Sequence, residues 1–402
     1  MDSRIRVLHI ITNLPVGGAQ DNTLLTVERL NRDKYHLTLL CANDGLWVRR
    51  AKMIKNLDLI FVNQLRRKIH LTKDFMAFWK IYQILRKGQY NIVHTHSSKP
   101  GVLGRLAAKL AGVPIVVHTI HGFPFNDFMN PIIQKFYIMA ERLLSKLSDK
   151  LITVSNLNLQ KALRLRFAPV GKFVNIYSGI DFRRFDSPTD IRKKKKDLGI
   201  ANGDKVVGMI GRLSKQKAPL DFIQAMGKVL TKRQDVQILL VGDGELKAET
   251  LALSKQLNID SRLKILGFRD DVPELLHLID IFVLTSWWEG LGRSLTEAMY
   301  TARPVVATDV DGVPELVEDG RTGLLVQPND IQAIAEGVLH LLENEGEAEE
   351  LGQNAAKRIN EAFRADVMVG YLDRLYQELL SKKGIKYHSI AHKQRKTSAV
   401  RR

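Results

Sequence analysis

Ser286-Trp287-Trp288-Glu289-Gly290-Leu291-Gly292-Arg293-Ser294-Leu295-Thr296-Glu297-Ala298-Met299 is the stretch on which the fold turns. It continues through Arg303-Pro304-Val305-Val306-Ala307-Thr308-Asp309 and Gly312-Val313-Pro314-Glu315. The residues just before it, 279–284, are short, apolar and β-branched, the pattern of a buried strand. Glycines break the chain after Glu289, and a helix is expected to begin near Ser294. Glu289 then sits on the loop at the carboxyl end of a strand, where open α/β sheets bind ligands. Glu297 is expected in the first turn of the helix, facing the same crevice, beside backbone amides that are unpaired donors for phosphate or hydroxyl oxygens. Either glutamate taken alone reads more readily as a complement to the helix dipole.

The string as a whole carries more than its parts. It resembles the signature of retaining glycosyltransferases of the GT-B class, glycosyltransferase family four, in which seven residues separate two glutamates. Here these are Glu289 and Glu297, followed by Ala298-Met299 and Pro304-Val305-Val306. The resemblance implies two Rossmann-like, doubly wound α/β domains facing across a cleft. It also implies transfer of a sugar from a nucleoside diphosphate donor, more often a UDP-sugar than a GDP-sugar, to a lipid-linked or saccharide acceptor. Hexosyl or N-acetylhexosaminyl transfer, in surface polysaccharide or glycolipid assembly, is the expected setting.

The rest of the chain suits such an architecture. A length of 402 residues allows two domains with a core each, and 45% hydrophobic with 26% charged residues is a globular composition. No apolar run reaches membrane-spanning length, and residues 4–11 read as a first strand rather than a signal-peptide core. The single cysteine, Cys41, excludes an internal disulfide, suits the cytosol, and lies in an apolar strand pattern. Strand and helix signals alternate to residue 176, lapse into a linker over 178–199, and restart at 205, the order of parallel sheets. The expected domains are 1–185, completed by a helix at 366–380 that the resemblance places back on the first domain, and 186–365. Residues 381–402, rich in Lys and Arg and free of acids, read as a disordered basic tail.

Several loops are candidates for binding. Arg212 and Lys217 bracket a helix start after the strand at 205–210; a forked guanidinium and a point charge suit a diphosphate, and the matching residues of the family bind the donor pyrophosphate. The family's Gly after this Lys is replaced by Ala218-Pro219, which is expected to shift helix entry only slightly. Gly242-Asp243-Gly244 lacks the third glycine of a dinucleotide fingerprint and reads as a turn. By resemblance, Phe268 and Arg269 lie where the backbone reads the base, the Leu291 and Gly292 amides aid donor binding, and Glu297 holds the ribose. Gly17 and Gly18 meet the donor phosphate and incoming acceptor, while Glu289 and His121 touch the donor sugar near the reacting centre. Leu291 and Ala302 replace a frequent Phe and Gly, which bears on donor preference.

Metal independence is expected. His94 and His118 fall on strand patterns with no Cys beside them, His94 and His96 read as structural, and Asp309-Val310-Asp311 follows a Pro-Val-Val strand as a decoy of a metal motif. Arg212, Lys217 and helix amides would neutralise the diphosphate instead.

The net charge of +18 implies an anionic partner. Residues 127–147 gather Phe128, Met129, Ile132, Ile133, Phe136, Tyr137 and Met139 beside Lys135, Arg142 and Lys146, and cations recur at Arg66, Arg67, Lys68, Lys73, Lys80, Arg86 and Lys87. An apolar strip flanked by cations suits an anionic membrane surface, although much of that strip is expected to pack on the sheet. The expected location is the cytoplasm, peripherally on the inner face of the cell membrane. Two other readings compete: a nucleotide-sugar epimerase of the same fold, which needs no acceptor, and a basic nucleic-acid-binding protein. The tail offers only Tyr387 as an aromatic, and no nucleic-acid motif is present.

Overall fold

The computed structural model describes residues 4–385, which form two compact units, 4–179 with 365–385, and 180–364. The change of unit therefore falls slightly before the expected 185/186, at the start of the linker rather than inside it.

In the first unit the strands are β1 (Ile5–Ile10), β2 (Tyr35–Cys41), β3 (Leu57–Phe61), β4 (Ile92–His96), β5 (Ile115–Ile120), β6 (Lys150–Thr153) and β7 (Phe173–Asn175). They form one parallel sheet in the order β3-β2-β1-β4-β5-β6-β7. Side chains alternate across it. Val7, Leu37, Leu39 and Ile92 face a core shared with helices Gly18–Arg29 and Ala365–Lys382. Leu8, Leu40, Val93 and Val116 face the opposite core, shared with helices Leu71–Gly88 and Ser98–Leu110. The C-terminal helix runs to Lys382, and Ile385 packs on the first core. The chain thus stays ordered past residue 381, where a disordered tail was expected, because Ile385 has an apolar surface to bury. Residues 386–402 of that expected tail lie outside the described residues.

The second unit repeats the plan with β8 (Lys205–Ile210), β9 (Val236–Val241), β10 (Leu263–Ile265), β11 (Ile281–Leu284), β12 (Val305–Thr308) and β13 (Leu324–Val326). Their order is β10-β9-β8-β11-β12-β13, again parallel. The fold class is therefore α/β with two doubly wound, Rossmann-like units, as the alternating pattern predicts.

One helix of the first unit departs from expectation. Pro131–Ser145 starts on an Asn130 cap, whose side chain accepts from the Ile132 amide at 2.9 Å. The residues it buries are Glu141 and Ser145. Ile132, Ile133, Phe136, Met139 and Leu143 are exposed, Ile132 to 78% and Phe136 to 70%. Most of the apolar strip does not pack on the sheet. The helix is held by Tyr137 and Ile138, which pack on a small core with Phe123, Phe125 and Phe167, and by a buried ion pair: Arg105, fully buried, donates to Glu141 Oε2 at 3.0 Å and to the Gly101 carbonyl at 2.6 Å.

Candidate active site

In the second unit the strand order reverses between β8 and β11, so the loops leaving their carboxyl ends diverge and open a crevice. Lys217, from the loop after β8, forms an ion pair with Glu289, from the loop after β11. Both are mostly buried, Glu289 to all but 6%. Ser286 Oγ adds a hydrogen bond to the same Glu289 oxygen at 2.7 Å. The Glu289 amide donates to Asp311 Oδ2 at 3.0 Å. The carboxylate is thus fixed at both ends of its residue before any ligand arrives.

The two loops are tied to each other by a lattice of hydrogen bonds. Trp287 N donates to the Gln216 carbonyl at 2.9 Å, Gln216 Nε2 to the Trp288 carbonyl at 3.0 Å, and Thr285 Oγ1 to the Lys217 carbonyl at 2.9 Å. The Trp287 indole donates to Asp221 at 2.7 Å. Burial still holds the Asp221 carboxyl above the usual carboxylate range, against the pull of that indole N–H. Ser286, Gln216, Asp221 and Trp287 were not legible as site residues, because their partners are far away in sequence. Asp311 carried a readable signal that was set aside: an Asp before Gly tolerates the left-handed backbone it adopts, φ 45°. Its carboxylate accepts from the Glu289 amide and so positions that residue.

Helix Arg293–Tyr300 starts on Gly292, whose φ of 93° needs a glycine. Glu297 lies in the second turn, not the first, and pairs with Arg293 at 3.6 Å. The helix-dipole reading of Glu297 loses its ground there, since the effect falls off within one turn. Leu291 is buried, so its replacement of the family's Phe alters packing under the loop.

The two other departures from the family pattern share one geometry. Ala218 and Ala302 both hold left-handed backbone, φ 47° and 55°, where glycine is free of strain. Ala302 follows the end of helix Arg293–Tyr300, where its left-handed backbone carries local strain.

Gly242 and Gly244 are turn residues for a steric reason. A Cβ on Gly242 would stand 1.9 Å from the Gly211 carbonyl oxygen, and one on Gly244 2.3 Å from that of Leu213. These close approaches bind the loops after β8 and β9 together, and the Gly242 amide reaches the Gly267 carbonyl at 2.8 Å. Arg212 therefore stands in a braced loop. Phe268 is exposed, while the Arg269 guanidinium forks onto Asp271 at 2.6 and 2.7 Å and holds that carboxyl well below its usual range. The Arg269 side chain is occupied, which leaves its backbone for a ligand.

In the first unit the corresponding reversal lies between β1 and β4. Gly17 caps helix Gly18–Arg29 in extended backbone, and a Cβ there would meet only the end of the Gln20 side chain. Ser97 precedes helix Ser98–Leu110 in left-handed backbone, φ 63°. His121 follows β5 and lines a small crevice with Ser97, Gly122 and Phe123. Its Nε2 lies 3.1 Å from His96 Nδ1, and His96 Nε2 lies 3.0 Å from His9 Nδ1. His9 was absent from the sequence reading; a histidine inside an apolar strand announces nothing until its neighbours are known. His9, His94 and His96 bring ring nitrogens within 4.8 Å of one another. Hydrogen bonds already occupy both nitrogens of His96, both of His94 (to Tyr376 and Thr119) and one of His9.

Comparison with known proteins gives the family. Residues 16–184 match the model described as Glycosyltransferase Family 4, and residues 190–358 the model described as Glycosyl transferases group 1. The chain is 32% identical over 387 residues to the Escherichia coli UDP-Gal:alpha-D-GlcNAc-diphosphoundecaprenol alpha-1,3-galactosyltransferase, covering 95% of this chain and 99% of that protein. It is 30% identical to the Bacillus anthracis N-acetyl-alpha-D-glucosaminyl L-malate synthase, covering 84% and 88%. The Anabaena HepE structure in complex with UDP and glucose superposes with a TM-score of 0.80 at 23% identity, covering 93% of this chain and all of that one. The chain belongs to this glycosyltransferase family, and it is a glycosyltransferase of GT-B fold. The two relatives are named as a transferase and a synthase, and the epimerase reading gains no support from them.

Proposed function

We propose that the protein transfers a hexosyl or N-acetylhexosaminyl group from a UDP-sugar, with retention of configuration, to a lipid-linked or saccharide acceptor in surface polysaccharide or glycolipid assembly. The observation that carries the site assignment is the Lys217–Glu289 pair across the β8/β11 reversal. A bound diphosphate competes with Glu289 for Lys217. Binding then frees the Glu289 carboxylate for the sugar hydroxyls and for the positive charge that develops at the anomeric carbon. Arg212 and Lys217 neutralise the departing diphosphate, Glu297 holds the ribose, and the Leu291 and Gly292 amides and the 268–269 backbone complete the donor subsite. In the first unit, Gly17, Gly18 and His121 are assigned to recognition of sugar and acceptor. In the step itself the acceptor oxygen bonds to the anomeric carbon on the face from which the diphosphate oxygen leaves. The acceptor proton passes to that phosphate oxygen.

The acceptor side is read from the first unit's surface. Leu71, Phe75 and Trp79 form one exposed stripe on helix Leu71–Gly88, and Val102, Leu106 and Leu110 another on helix Ser98–Leu110. These helices pack on each other, the second also packs on helix Pro131–Ser145, and cations such as Arg66, Arg67, Lys68, Lys80, Lys109 and Lys135 are exposed around them. Large exposed apolar patches mark interaction surfaces, and each cation near an anionic leaflet adds about 1 kcal/mol. This face docks on the cytoplasmic leaflet that holds the lipid acceptor. No helix among the described residues is long and apolar enough to cross a membrane.

The test is UDP or GDP release from a panel of nucleotide sugars, with and without anionic vesicles carrying a polyprenyl diphosphate-linked sugar. Release from one donor that needs the acceptor vesicle, persists in EDTA and vanishes in Glu289→Ala is expected. The anomeric configuration of the product decides retention. Release that ignores the acceptor, or survives Glu289→Ala, would sink the assignment.

A further inference from the structure

His9 on β1, His96 on β4 and His121 after β5 cross three adjacent strands as a chain of imidazoles. His9 and His96 are sealed from solvent, and the His96 ring stacks on both neighbours with centroids 5.3 Å apart. We propose that His9 and His96 are positioning residues that dictate which nitrogen of His121 carries the proton. This rests on the reading of His121 as a residue that meets the donor sugar.

The argument is one of counting protons. Burial and the neighbouring histidines hold His96 far below the usual histidine range, and burial with the charge of Arg32 brings His9 down to about 3. Each of these rings therefore carries one N–H. With His121 in its neutral form, two hydrogen bonds through the three rings permit only two orders, because any other sets N–H against N–H or lone pair against lone pair. In the first, His9 Nδ1–H donates to His96, and His96 Nδ1–H donates to His121 Nε2. His121 then carries its proton on Nδ1. In the second every bond is reversed, and His121 Nδ1 becomes an acceptor.

The far end of the chain chooses between them. His9 Nε2 is buried with no hydrogen-bond partner. The second order leaves an N–H there, and orphaned buried N–H groups are rarer than under-satisfied acceptors. The first order leaves only a bare lone pair. The chain thus makes His121 Nδ1 a donor, suited to a sugar or acceptor oxygen.

The test is the set of long-range nitrogen–proton correlation spectra of the full chain with isotope-labelled histidine, assigned with His96→Gln and His121→Gln. Wild type is expected to show His96 and His121 both protonated on Nδ1. His9→Phe fills the space but cannot donate; it should mix the His121 tautomers and lower turnover about tenfold with donor KM within about twofold. His9→Gln, whose amide can donate to His96 Nε2, should restore both. His121 protonated on Nε2 in wild type overturns the proposal, and that spectrum decides even where His9→Phe does not fold. Unmixed tautomers in His9→Phe, or unchanged turnover there, overturn it too. Expected tautomers in a wild type that transfers no sugar count against the reading of the active site and leave the proton order standing.

Discussion

Helices Pro131–Ser145 and Pro219–Lys232 both open on proline, have 15 and 14 residues, and belong to units of one architecture. They are nearly inverses of each other. Pro219–Lys232 buries Phe222, Ile223, Met226 and Val229, the ordinary amphipathic solution. Pro131–Ser145 buries Glu141 and Ser145 and turns Ile132, Phe136 and Met139 outward. The comparison teaches that an apolar face is not a core face until the fold supplies something to cover it. For Pro219–Lys232 the covering is the core of the second unit; for Pro131–Ser145 most of the apolar face is left exposed among the described residues.

The same substitution at two sites breaks or sharpens this contrast most directly. Phe222→Ala should lower unfolding free energy by about 3–5 kcal/mol, whereas Phe136→Ala should stay within about 0.5 kcal/mol, both read by denaturant unfolding. Equal losses would mean that Phe136 is a core residue. Glu141→Ala strands the Arg105 charge inside the first unit and should cost about 3–5 kcal/mol, more than any exposed apolar change on that helix.

Acid should also separate the units, because the deeply shifted histidines His9, His94, His96 and His118 all lie in the first. Their folded pKa values are depressed below 6.5, so the unfolded chain binds more protons in the window below that pH. Stability is complete above about 6.5 and falls as pH drops toward 3, by about 1.4 kcal/mol per pH unit for each histidine. Hydrogen exchange at pH 7.5 and 5.5 should show protection lost in β1, β4 and β5 before β8 and β11.

Phe136→Ser should weaken binding to anionic vesicles by about 1.5–3 kcal/mol, with UDP affinity unchanged. Partition unaffected by this change would remove the helix from the docking face. Ala302→Gly should raise unfolding free energy, by about 1 kcal/mol, through relief of left-handed backbone, read by denaturant unfolding.

Much of this was legible in the residues. Alternating apolar runs and turn signals mark a doubly wound sheet because a parallel strand is buried on both faces and its crossover must be helical. Glu289, Lys217 and Arg212 were readable because strand ends and glycine turns place them at a sheet's carboxyl edge. What went unread was contact between distant segments. Asp311 holds Glu289 from across a turn, Ser286 reaches back to it, and the C-terminal helix supplies the Tyr376 hydroxyl that fixes His94. Glu297 moved from the first turn to the second because the helix starts one residue earlier than expected, at Arg293.

The sequence by itself determined the alternation of strands and helices, the loops that carry the charged residues, and the family, since these depend on local period and on spacing along the chain. Only the tertiary structure decided that Lys217 rests on Glu289, that His9, His96 and His121 meet in one hydrogen-bonded row, and that helix Pro131–Ser145 faces most of its apolar side outward. The reason is the same in each case: strand order, not sequence distance, sets which side chains meet, and burial is a property of neighbours rather than of the residue itself.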